Sequence, residues 1–77
     1  MIIMIDNVDA VRDFVNTAAG FKEKVTLLQD GKEIDGKSTI AILNNGIEKP
    51  FEATIDTNDD VIRLQFYDFI SDWFYAG

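Results

Sequence analysis

The sequence predicts an α+β domain with element order βαββαβα: a four-stranded antiparallel sheet carrying three helices on one face. Three observations lead there. The spacing of apolar residues switches several times between helical and extended patterns. An Asp30-Gly31 pair sits between two extended runs, a strong hairpin signal because both turn residues need positive φ. And 77 residues allow one domain only, short enough that its core must be efficient.

The elements follow in order. Met1-Ile2-Ile3-Met4-Ile5 reads as a buried strand, closed by Asp6. Val8, Val11, Phe14, Val15, Ala18 and Ala19 form a helical stripe. Asp6 or Asn7 is placed to cap that helix, Asp9 complements its dipole, and Gly20 ends it. Residues 25–29 and 32–35 make the hairpin strands. Lys37 to Leu43 reads as a short helix closed by Asn44-Asn45-Gly46. Phe51-Glu52-Ala53-Thr54-Ile55-Asp56 alternates in and out as a strand. Thr57-Asn58-Asp59-Asp60 is an acidic helix start, and a final helix is expected from Val61 to Tyr75.

Composition narrows the chemistry. Fourteen Asp and Glu against seven Lys and Arg give a formal net charge of −7, which argues against nucleic acid or an anionic membrane as partner. With no cysteine there is no thiol nucleophile or disulfide, and with no histidine no imidazole base or ligand. The apolar start is too short for a signal peptide or a spanning helix, so the cytoplasm is the expected compartment. No metal or cofactor is expected. No enzyme activity is expected either, because no nucleophile with a base and no paired-carboxylate pocket can be named.

Two segments imitate ligand-binding motifs. Gly31-Lys32-Glu33-Ile34-Asp35-Gly36-Lys37-Ser38 fits the phosphate-binding pattern G-x-x-x-x-G-K-S letter for letter. Its interior, however, would hold Glu33 and Asp35, which repel phosphate, and the hairpin already accounts for the segment. Asp56-Thr57-Asn58-Asp59-Asp60 opens like a calcium loop, but Val61 stands where such a loop turns on glycine and Tyr67 where it needs a bidentate glutamate. A capped helix start explains it better.

Thr17-Ala18-Ala19-Gly20-Phe21, the hairpin ending in Gly36, and Lys37-Ser38-Thr39-Ile40 resemble HPr, the family of small phosphocarriers of the bacterial sugar phosphotransferase system. Gly46-Ile47-Glu48-Lys49 and Phe51 to Ile55 continue the likeness, which with the final helix covers roughly three quarters of the chain. The βαββαβα order is also that of the HPr fold. The resemblance implies a phosphoryl-accepting histidine at the start of the first helix. That position falls near Asn7, with Asp9 near the family's arginine and Ala10 near its proline. An asparagine amide accepts no phosphoryl group, and Asp9 repels an incoming phosphate. A carrier role is therefore not expected. The resemblance also implies a regulatory phosphoserine at Ser38, beside Lys37, with an HPr kinase or a transcription regulator as protein partner. An N-cap serine is the plainer reading of Ser38. Ala41 replaces a glycine usual in the family, which alters the docking surface.

Six of the chain's aromatic residues (one Trp, two Tyr and six Phe in all) lie between Phe66 and Tyr75. Ile62, Phe66, Phe69, Ile70 and Trp73 have core spacing. Leu64, Tyr67, Phe74 and Tyr75 cannot all join them, so they cover the sheet edge or form an interaction surface, including a homodimer contact through the C-terminal helix. The functions expected are thus an HPr-like regulatory protein without carrier activity, switched by serine phosphorylation, or an interaction module on the same fold without that switch.

Overall fold

A computed structural model describes all 77 residues. The elements are β1 (Ile2–Ile3), α1 (Val8–Ala19), β2 (Val25–Gln29), β3 (Lys32–Asp35), α2 (Thr39–Asn45), β4 (Phe51–Ile55) and α3 (Asp60–Phe69), then a single 3-10 turn, Ser71–Trp73. The strands form one antiparallel sheet of order β1-β4-β2-β3. The α+β class and the βαββαβα order are as the sequence predicts.

Alternation decides which sheet face is covered. Ile3, Val25, Leu27, Ile34, Phe51, Ala53 and Ile55 point into the core. Thr26, Leu28, Glu33, Asp35, Glu52 and Thr54 take the opposite parity and are exposed or half-buried. The helices close the inner face: α1 contributes Val11, Phe14 and Ala18, α2 contributes Ile42, and α3 contributes Phe66. No polar or charged side chain is buried, so the core carries no unpaired polar group to offset.

The hairpin turns as its sequence requires. Asp30 and Gly31 have φ of 51° and 79°, and Gln29 pairs with Lys32 directly across the two-residue loop. Asn7, not Asp6, caps α1, its side-chain oxygen accepting the Ala10 N–H at 2.8 Å. Gly20 does end α1, but by a different route from the usual left-handed glycine: its φ is −71°, and its N–H turns back to the carbonyls of Thr17 and Ala18.

Several boundaries differ from the sequence reading; α2, for one, runs on to Asn45 where the sequence reading ends it at Leu43. β1 has only Ile2 and Ile3 in ladder geometry, although Met1 still exchanges backbone bonds with Ala53 and Ile5 is fully buried. β4 stops at Ile55, and the Asp56 N–H bonds the Lys24 carbonyl beyond the ladder. α2 begins two residues late, at Thr39. The Asp35 carboxylate accepts the Lys37 N–H at 2.9 Å and the Asp35 carbonyl accepts the Ser38 N–H at 3.1 Å, holding a turn ahead of the helix.

The largest difference lies at the C-terminus. α3 ends at Phe69 and not at Tyr75. After Ile70 the chain tightens into the 3-10 turn and then runs extended beside β1, where Ile3 and Phe74 form an antiparallel bridge. This route buries Ile70, sets the Trp73 ring edge-on to Phe14 at 5.7 Å and satisfies backbone groups on the β1 edge. A straight continuation of the helix would leave the β1 edge without these bonds. Phe69, the last residue of α3, does not join the expected core stripe: it is 59 % exposed and only leans edge-on against Phe21. Ile62 and Trp73 pack against the core from its margin.

Candidate functional site

Asn7 and Ser38 hold equivalent jobs at the starts of two helices. Each has an extended backbone, and each side-chain oxygen accepts an N–H from the first turn: Ala10 for Asn7 and Ala41, at 3.2 Å, for Ser38. Asp9 follows Asn7 in the first turn of α1, exposed and favourably placed against the helix dipole. The anionic side chain thus sits where the resemblance would put the arginine.

The two capping positions are not brought together. β1 leaves the sheet beside Phe51, at the start of β4. β3 leaves from the other edge, beside Thr26, which is level with Thr54 near the end of β4. Asn7 and Ser38 therefore follow strands that exit from opposite edges and opposite ends of the sheet. Each makes only local side-chain bonds.

Lys37 does not reach toward Ser38. Its ammonium donates to the Phe21 carbonyl, tying the α1–β2 loop to the start of α2. A shallow, open depression on the β2–β3 side is lined by Lys24, Thr26, Glu33, Asp35 and Lys37. It mixes two cations with two carboxylates and offers no net preference for an anion. In the other imitation motif, Asp59 caps α3 by accepting the Val61 N–H at 2.9 Å, and the Thr57 hydroxyl accepts the Asp59 N–H at 3.0 Å. Asp60 is paired with Arg63. These carboxylates are committed to starting a helix, as the sequence reading expects.

The surface residues named from sequence separate into two groups. Leu64 stands on α3, 67 % exposed, while Tyr67 is half-buried and tilted against Phe66. Phe74 and Tyr75 are not on the helix at all; they lie in the extended segment along β1, so the four do not make one helical patch. Sequence reasoning missed Ile40, which at 73 % is the most exposed large apolar side chain, with Leu43 one turn further on. The signal was present. Ile40, Ile42 and Leu43 cannot all face inward from one short helix, and docking on α1 and β3 selects Ile42.

The caps give a first prediction. Asn7→Ala and Ser38→Ala should each lower stability by about 1 kcal/mol, a Tm decrease of about 4–8 °C. Thermal unfolding followed by circular dichroism checks this, and Asn7→Asp should retain most of the stability.

Fold and site together define a small α+β domain whose helix starts are capped by Asn7, Ser38 and Asp59 and whose largely charged surface includes exposed apolar side chains such as Ile40 and Leu64, with no three acidic side chains gathered to hold a metal ion. No helix is long and apolar enough to cross a membrane. No protein-family model, curated protein or solved structure matches the chain.

Proposed function

We propose that this chain is an HPr-like protein-interaction module without phosphocarrier or enzymatic activity, which recognises a protein partner through the exposed apolar residues of α2. The observation that carries the reading is Ile40, held out in solvent at the start of a helix whose inward position is already filled by Ile42. Leu43 extends the same face. The absence of histidine, together with Asn7 as a cap and Asp9 beside it, supports a role without phosphoryl transfer.

Of the two forms of this role, the one without serine phosphorylation is favoured by a specific contact. The Ser38 hydroxyl is engaged with the Ala41 N–H, and the nearest cation, Lys37, is bonded to the Phe21 carbonyl. A phosphate on Ser38 would have to do without that lysine or break its bond. A different protein is also a better partner than a second copy docking through α3. The exposed Leu64 stands one turn from Asp68, so a symmetric contact there would bring carboxylates together on a chain of net charge −7. The expected setting is the cytoplasm.

The test compares wild type with Ile40→Asp as immobilised bait in an extract of the source cells. A defined protein held by the first and lost with the second is expected. Identical captures remove the α2 surface from the reading. Incubation with an HPr kinase and ATP should give no mass gain. A single phosphate that Ser38→Ala abolishes would instead establish the switched form.

A further inference from the structure

The two edges of the sheet are protected in different ways. β3 carries charge at Lys32, Glu33 and Asp35, three of its four residues. Charged edge strands resist pairing with another chain because association would desolvate and oppose those charges. The opposite edge has no such protection. Met1-Ile2-Ile3-Met4-Ile5 has no charged side chain and no proline, and apart from the Met1 ammonium, which is turned to the Ala53 carbonyl, it offers nothing to oppose pairing with a copy of itself. Only Asp6 interrupts it.

That edge is instead covered by the chain's own C-terminal segment. The Met4 N–H donates to the Trp73 carbonyl at 2.9 Å, and the Tyr75 N–H donates to the Ile2 carbonyl at 3.0 Å. Between them Ile3 faces Phe74 as an isolated bridge. The cover is light. Phe74 is 59 % exposed and Tyr75 39 %, so the hold on β1 comes chiefly from two backbone bonds and the packing of Trp73 on Phe14. Two bonds of this kind are modest in net stability.

We infer that residues 73–75 act as an edge guard: docked on β1 they keep the chain monomeric, and when displaced they free an edge that pairs antiparallel with β1 of a second copy. The occupant follows from local chemistry. A two-fold contact between β1 strands sets uncharged Ile2 and Ile3 against their counterparts, and the carboxylates elsewhere are largely screened at physiological salt beyond about 8 Å. The C-terminal segment and the second copy compete for the same Met4 N–H and Ile2 carbonyl, so docking in cis and pairing in trans exclude each other.

The test uses the full-length chain with Phe74→Gly and Tyr75→Pro, which leaves Trp73 in place. Proline removes the Tyr75 donor, and the ψ of 132° at Phe74 accommodates a following proline. Wild type should sediment as a monomer from micromolar to millimolar concentration, with a slowly exchanging Met4 amide. In dilute solution the double variant should exchange that amide about tenfold faster or more, and should dimerise as its concentration rises. Adding Ile2→Lys, on the solvent side of β1, should restore the monomer by putting like charges across the new contact. Should the double variant lose its fold, Tyr75→Pro alone is read by the same two measurements. A folded variant that stays monomeric at millimolar concentration overturns the inference, and so does a dimer that Ile2→Lys leaves intact.

Discussion

Phe66→Ala should be among the most damaging single truncations in the chain. Phe66 is the one fully buried side chain that α3 contributes, and its ring meets the edge of Phe21 at 5.5 Å. Truncating a buried phenylalanine costs about 3–5 kcal/mol through lost transfer energy and the cavity left behind. At about 0.05–0.15 kcal/mol per residue, a domain of this size has only about 4–12 kcal/mol in total. Denaturant titration should therefore show a loss of about a quarter or more of the stability, with Tm lower by more than about 12 °C. Phe69→Ala, one turn away on the exposed side, should change stability by less than about 1 kcal/mol. A loss below about 1 kcal/mol for Phe66→Ala would mean that α3 is held by something other than this ring.

Gly36→Ala is the second large effect, and it arises from crowding. Gly36 is buried between β3 and α2, and its N–H bonds the Val25 carbonyl at 2.9 Å. A Cβ there would lie 2.6 Å from the Val25 Cγ1 and 3.1 Å from the Val25 carbonyl oxygen. The first distance is inside van der Waals contact, so Val25 must rotate or β3 must move, at a cost of about 1–3 kcal/mol. Val25→Ala in the Gly36→Ala background should cost less than Val25→Ala alone, because it removes the methyl that clashes. The double-mutant cycle measures that coupling. Simple additivity would show that the backbone, not Val25, absorbs the change.

These two residues also show how far the sequence could be read. The hairpin, the α1 stripe and β4 were legible because their causes are local: a left-handed Asp30-Gly31 pair, apolar residues at helical spacing, and strict alternation from Phe51 to Ile55. Phe66 and Ile70 were legible as core for the same reason. The end of α3 was not. Helical spacing persists through Trp73, and the chain leaves the helix because the β1 edge, some 70 residues earlier in sequence, offers better use for its backbone groups. Gly36 reads as part of a phosphate-binding pattern, whereas its requirement is for space against Val25. For the site, Asn7 and Ser38 were legible as caps because capping depends on a residue and its next three neighbours. The exposure of Ile40 was illegible in detail because docking against α1 and β3, not the helix itself, selects which of three apolar residues turns inward.

The Trp73–Phe14 contact gives the molecule an optical label. Trp73 is the only tryptophan in the chain, half-buried edge-on to Phe14 and immediately before the segment that covers β1. Its indole emission is therefore a single-site signal whose wavelength reports how dry that junction is. Loosening of the C-terminal segment should shift the emission to the red while the far-ultraviolet dichroism of the helices stays constant, and global unfolding should move both together. A spectrometer can thus separate release of the last few residues from loss of the fold, with no dye attached and no residue changed.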